Sequence, residues 1–185
     1  MPDATGLELI RQELGDSVLD TTYFRQRATL LIEPASVRAV LAHLRAKGYS
    51  FLASVHGVDY YPEEPRLGVL YELLDMEKVD RITVKLRVPT SEAVVASVTP
   101  GTPDDAGWPT ANHQEREVYD MFGVVFGGHP DLRRILLPED YEGHPQRRDF
   151  PLGGEPVAFT YNESENVGTR SENVTTQSEN VGTRG

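Results

Sequence analysis

The 185-residue sequence contains no cysteine. That absence excludes disulfides, thiolate nucleophiles, cysteine-ligated zinc and ordinary iron–sulfur ligation together, so any redox role has to be indirect. Basic residues are also scarce. Lys and Arg number 18 against 29 Asp and Glu, a net charge of −11, which argues against general nucleic-acid binding and against attraction to a bilayer surface. No stretch approaches the roughly 20 consecutive apolar residues that cross a membrane. The first residues carry Asp3, Glu8 and Glu13 where a signal peptide is basic. These lacks predict a soluble, cytoplasmic chain, long enough for one core and too short for two.

What is present predicts an α+β fold, a mainly antiparallel or mixed sheet with helices packed on one side. Leu7, Ile10 and Leu14 recur at helical spacing before Gly15, predicting a helix over 5–14. The apolar run 27–32 is cut by Pro34 and reads as a strand, with Pro34 in the first turn of a helix whose buried face is Val37, Val40, Leu41 and Leu44. Strands are predicted over 51–58, 67–74 and 81–88. The last is the clearest, because Ile82, Val84, Leu86 and Val88 alternate with Arg81, Thr83, Lys85 and Arg87. Short links join the three as antiparallel neighbours. Residues 99–110, rich in Pro and Gly, read as an exposed connection. A helix over about 112–122 and a short strand at Val124–Phe126 follow. The predicted organisation is an α+β domain over 1–122 that includes this helix, an extended irregular segment over 123–163, and a tail over 164–185. The tail repeats Ser-Glu-Asn-Val every seven residues with a single valine per unit. A coiled coil needs two apolar positions per heptad, so the tail is expected to be disordered.

Chemistry-bearing residues concentrate between 115 and 149. On the helix, Arg116 and Asp120 are four apart and form a potential ion pair. Glu115 and Glu117 point about 200° apart, so they do not converge on a substrate. Tyr119 and Phe122 line a further direction, and Gly123 is a candidate left-handed stop that turns the chain back across the helix. His129 and His144 lack a third ligand at metal spacing, and no serine lies in a Gly-x-Ser-x-Gly context. Arg133, Arg134, Arg147 and Arg148 alternate with acidic residues, Asp149 among them, and guanidinium groups suit carboxylate pairing. Such a segment is either pinned to its own domain or to a neighbouring protein, and residue types alone leave both open.

One run of residues goes further. Glu115-Arg-Glu, Asp120, the apolar pair Met121–Phe122, His129 and Arg133-Arg-Ile-Leu136 resemble the signature of the thirty-kilodalton subunit family of NADH-quinone oxidoreductase, the respiratory complex I. Gly143-His-Pro145 and Arg147-Arg-Asp-Phe-Pro-Leu152 look like its continuation, and the likeness extends over about 5–157. The resemblance implies a scaffold subunit of the peripheral arm, non-catalytic by itself, on the cytoplasmic side of the cell membrane and attached through the complex. FMN, Fe–S clusters and quinone are then held by other subunits and none by this chain. The chief partner implied is the large quinone-site subunit, with its cluster-bearing neighbours. Glu115, Arg116, Glu117, Tyr119, Asp120, Phe122, His129, Arg133, Arg134, Arg147, Arg148 and Asp149 become the expected partner interface, with charges that partner groups satisfy. Equivalent subunits of membrane-bound nickel–iron hydrogenases and of the ferredoxin-linked photosynthetic complex share this description.

Overall fold

A computed structural model describes residues 4–25, 27–102 and 105–151. The chain divides into two compact units, Met1–Arg148 and Asp149–Gly185. Of the second, only 149–151 are described, so the repeat tail lies outside the described residues, as do residues 152–163 of the segment predicted over 123–163.

The first unit is built on a five-stranded sheet of order β1-β2-β5-β4-β3. Helix α1 (Ala4–Leu14) leads into β1 (Val18–Phe24) and β2 (Arg27–Ile32), which pair antiparallel. Helix α2 (Val37–Ala46) carries the chain across to β3 (Phe51–Asp59) at the far edge. β4 (Leu67–Asp75) and β5 (Asp80–Val88) then return by antiparallel pairing, and β5 closes on β2 in parallel. The sheet is therefore mixed, because a strand–helix–strand crossover followed by two hairpin steps brings β5 back beside β2 in the same direction. β6 (Val94–Ala96) and β7 (Val125–Gly127) form a separate parallel pair, with α3 (Ala111–Phe122) between them in sequence.

The core follows the two periodicities. Val37, Val40, Leu41 and Leu44 of α2 are wholly buried against Leu67, Val69, Tyr71 and Leu73 of β4 and Ile82, Val84 and Leu86 of β5. Each such aliphatic side chain contributes about 1.5–3 kcal/mol on burial. β1 has no counterpart among the predicted elements. Six of its seven residues are at least partly exposed, so alternation is missing, and its only sequence signal is the β-branched and aromatic content of Thr21-Thr22-Tyr23-Phe24.

The connection predicted as exposed is corrected in part. Thr99 and Trp108 are buried, Trp108 Nε1 donates to the Ser50 carbonyl at 3.0 Å, and the Arg45 guanidinium lies 5.1 Å from the Trp108 ring. A single tryptophan among prolines and glycines carries no periodicity, yet its area makes it an anchor for irregular backbone.

Candidate functional site

Helix α3 carries two carboxylates with no exposed surface, Glu115 and Asp120, and each organises a different piece of irregular chain. Glu115 faces the strand-end segment after β6. Its Oε2 accepts from the Ser97 hydroxyl at 2.6 Å and the Thr99 hydroxyl at 2.9 Å, while Oε1 accepts from the Val98 N–H at 2.8 Å. The buried His129 ring completes this shell, with Nε2 at 3.8 Å from Glu115 Oε2. The Asp131 N–H donates to His129 Nδ1 at 3.0 Å. Nε2 therefore carries the proton of the neutral ring and donates to the Asn112 carbonyl at 3.2 Å. Burial raises the Glu115 pKa, opposed by the Ser97, Val98 and Thr99 hydrogen bonds and by His129. The Tyr71 hydroxyl is buried without a hydrogen-bond partner among the described residues, and burial together with the Glu115 charge keeps it protonated.

Asp120 faces the opposite way and receives the loop. Gly123 ends α3 in the left-handed region (φ 74°), and its N–H donates to the Tyr119 carbonyl. A Cβ there would sit 2.5 Å from His144 Nε2 and 2.6 Å from Arg147 Nη2, so both conformation and space require glycine. The chain then folds back. Three successive N–H groups, of Ile135, Leu136 and Leu137, donate to Asp120 Oδ2 at 3.0, 2.7 and 2.9 Å, and Arg134 Nη1 donates to Oδ1 at 2.6 Å. Burial alone raises the Asp120 pKa, but these four donors outweigh it and hold the carboxyl below its ordinary value. Arg134 also donates to the Gly143 carbonyl at 3.0 Å, and His144 Nδ1 donates to the Asp120 carbonyl at 2.9 Å.

The expected Arg116–Asp120 pair is therefore corrected. Arg116 donates instead to the carbonyls of Arg133 and Arg134, at 3.2 and 3.1 Å. The reason is competition: a buried carboxylate is better satisfied by a cluster of backbone N–H groups and a guanidinium than by one neighbour on its own helix. The expectation that partner groups satisfy the charges of Glu115 and Asp120 is corrected as well, since donors within this chain already do so.

The remaining residues of the predicted interface divide similarly. Arg147 Nε donates to the Phe122 carbonyl at 2.7 Å, and Tyr119 meets the His144 ring edge-on at 6.4 Å. Arg148 donates through its N–H to Asp59 Oδ2 at 2.7 Å and through Nη1 to the Tyr61 carbonyl at 3.1 Å. Asp59 is itself held by Arg66, at 2.8 Å from Nε and 2.7 Å from Nη2. That pair holds the Asp59 carboxyl far below its ordinary range, with burial opposing and the N–H groups of Arg148 and Tyr61 assisting. Arg133 is exposed and, among the described residues, forms its one ion pair with the exposed Asp131, at 3.0 Å. Glu117 is exposed, and Phe122 is half-buried. Asp149 lies in the second unit. Asp59, Arg66, Ser97, Thr99 and His144 stand outside the interface predicted from sequence. Asp59 and Arg66 are seven residues apart across a turn, a spacing that only the closed hairpin brings together.

Between α3 and the edge strand β3 lies an open groove of about 450 Å³, lined by Ser54, Gly57, Gln114, Glu117, Met121 and Leu136 among others. Gly57 lets the Phe122 ring pack directly on β3, because a Cβ there would lie 2.2 Å from that ring. Among the described residues no group of three or more His, Asp or Glu side chains is arranged to hold a metal ion, and no helix is long and apolar enough to cross a membrane.

Comparison with known proteins gives a consistent picture. Residues 30–156 match the family model described as respiratory-chain NADH dehydrogenase, 30 Kd subunit. An NADH-quinone oxidoreductase subunit from Roseiflexus sp. (strain RS-1) is 42% identical over 166 residues, covering 88% of this chain and 92% of the relative. A solved trypsin-resistant fragment (1–134) titled Nqo5 is 31% identical with a TM-score of 0.60, covering 71% of this chain and all of the fragment. A chain of the membrane-bound sulfane sulfur reductase, an archaeal respiratory membrane complex, is 26% identical with a TM-score of 0.65, covering 80% of this chain and 86% of that one.

Proposed function

Since the chain belongs to the 30 kDa subunit family of the respiratory-chain NADH dehydrogenase, we propose that it works by contact, as a scaffold subunit of the peripheral arm of complex I that holds no prosthetic group itself. Electrons pass from NADH through FMN and Fe–S clusters in other subunits to quinone, and this chain braces the large quinone-site subunit and its cluster-bearing neighbours. It sits on the cytoplasmic side of the membrane, attached only through the complex. The observation that carries this reading is how the conspicuous charges of the 115–148 region are used. Glu115 and Asp120 are wholly buried and committed to shaping backbone, which leaves a stiffened surface and, among the described residues of this region, no open acid–base constellation. The lack of cysteine agrees, since ordinary cluster ligation is beyond this sequence.

The test is gentle detergent extraction of membranes followed by native separation. The chain is expected to migrate with flavin- and cluster-bearing proteins and with multi-span membrane subunits, and migration alone at its own mass contradicts the proposal. A second reading is an equivalent position in another membrane complex, a ferredoxin-linked photosynthetic complex or a membrane-bound nickel–iron hydrogenase. What supports a host other than complex I is the likeness to a chain of a different respiratory membrane complex, the sulfane sulfur reductase. The identity of the co-migrating electron-input subunit distinguishes the two.

A further inference from the structure

The groove between α3 and β3 has a built character that the internal bonding of the region does not use. Leu136 is 61% exposed, yet its backbone is pinned by the 2.7 Å bond from its N–H to Asp120 Oδ2. An apolar side chain is thus presented to solvent on a fixed frame, the arrangement that lowers the ordering cost of binding. Glu117, on the groove wall, is exposed, and among the described residues no hydrogen bond or ion pair engages it. The basic residues of the neighbouring segment are already occupied: Arg116 with two carbonyls, Arg133 with Asp131, Arg134 with Asp120 and Arg147 with the Phe122 carbonyl. Among the described residues the groove therefore offers one uncompensated negative charge beside the apolar Met121, Phe122 and Leu136, its other titratable lining group, His56, being hydrogen-bonded to the Ser54 hydroxyl at 2.8 Å.

Its other wall is the edge of the sheet. The Val55 N–H donates to Gln114 Oε1, so it points away from β4. By the two-residue alternation of a strand, the peptide groups of Gly57 turn the same way. The Phe122 ring fills the space beside Gly57 and Gln114 takes the Val55 N–H, so α3 covers this edge and the groove is bounded by side chains of both elements.

Resting on the scaffold reading above, we propose that this groove seats a segment of a neighbouring subunit, one that sets a lysine or arginine against Glu117 and an aliphatic or aromatic side chain against Met121, Phe122 and Leu136. Charge complementarity selects this occupant. An acidic segment meets Glu117 with like charge, and a second copy of a chain of net charge −11 is disfavoured on the same ground.

The test uses the assembled complex in cells, with a photo-reactive phenylalanine analogue replacing Leu136, followed by purification of the complex and sequencing of the captured peptide. Expected is a peptide from another subunit that carries a lysine or arginine beside an apolar residue. An acidic or cation-free peptide, capture of this same chain, or no capture in an intact complex overturns the inference. The last of these leaves the scaffold reading standing. If the chain is never found in a complex, the scaffold reading itself has failed and this inference falls with it. A second arm replaces Glu117 with Lys and then the captured cation with Glu. The first change is expected to lower the yield of assembled complex roughly tenfold, equivalent to about 1.4 kcal/mol, and the second to restore it. Absence of restoration, with the thermal unfolding of the Glu117→Lys chain unchanged, overturns the inference.

Discussion

Arg134 Nη1 lies 2.6 Å from Oδ1 of Asp120, and the carboxylate has no exposed surface. The other oxygen takes three consecutive N–H groups from the segment that begins at the next residue, Ile135. One side chain of α3 thus fixes both the course of a loop and the position of its guanidinium, and the outward display of Leu136 depends on it.

Asp120→Ala removes an acceptor that four donors share and leaves a largely buried guanidinium unpaired. Breaking such a pair costs about 3–5 kcal/mol, so the urea midpoint is expected to fall by a corresponding amount with little change in slope. Arg134→Ala is expected to cost less, because the three N–H groups still compensate Asp120. In the double variant the two losses should not add, and simple additivity in the cycle rules out a direct pair.

Arg133 and Arg134 are adjacent in sequence but differ in use. Arg133→Ala is expected to change stability by no more than about 0.5 kcal/mol, since its pairing with Asp131 is exposed at both ends. Calorimetric melting of the two single variants compares them directly. Equal losses contradict the assignment of Arg134 to the interior.

The acid response has two signs. Asp120 and Asp59 are held below their ordinary pKa in the folded chain. Their stabilisation is complete above about pH 4, the unfolded value, and is lost as pH falls through the lower folded values. Glu115 is shifted up by burial, so the folded state takes its proton more readily than the unfolded state, and acidification towards pH 4 adds stability from this group. Unfolding free energies from pH 7 to 3 are therefore expected to show the advantage of the wild type over Glu115→Gln growing on acidification. Its advantage over Asp120→Asn is expected to shrink below about pH 4. A constant gap in either comparison contradicts the corresponding shift.

Gly123→Ala forces a left-handed residue to carry a Cβ only 2.5 Å from His144 Nε2. The expected loss is about 1–3 kcal/mol, and amide exchange should speed up selectively at residues 134–147 while β4 and β5 stay protected. Uniform acceleration contradicts a local role.

Much of this is legible in the sequence, for identifiable reasons. The alternation from Arg81 to Val88 and the spacing of Val37, Val40, Leu41 and Leu44 are period signals, and burial follows them except at Thr83, which is buried on the face read as wet and donates to Glu72. The opposed directions of Glu115 and Glu117 also follow from helix geometry, one residue being buried and the other exposed. Long-range satisfaction is not legible. The donors to Glu115 come from 16 to 18 residues upstream, those to Asp120 from 14 to 17 downstream, and most are backbone N–H groups that carry no sequence identity. An i,i+4 rule sees only the local partner, and so assigns Arg116 to Asp120. β1 escapes because a largely exposed edge strand has no buried face to impose alternation.

The claim on which the account depends is that the chain acts by contact and carries no redox group. The most direct measurement is absorbance, metal analysis and NADH-oxidation assay of the purified full-length chain beside the intact complex. The account predicts flavin and iron only in the complex, with turnover confined to it. Stoichiometric flavin, iron or turnover in the lone folded chain contradicts it.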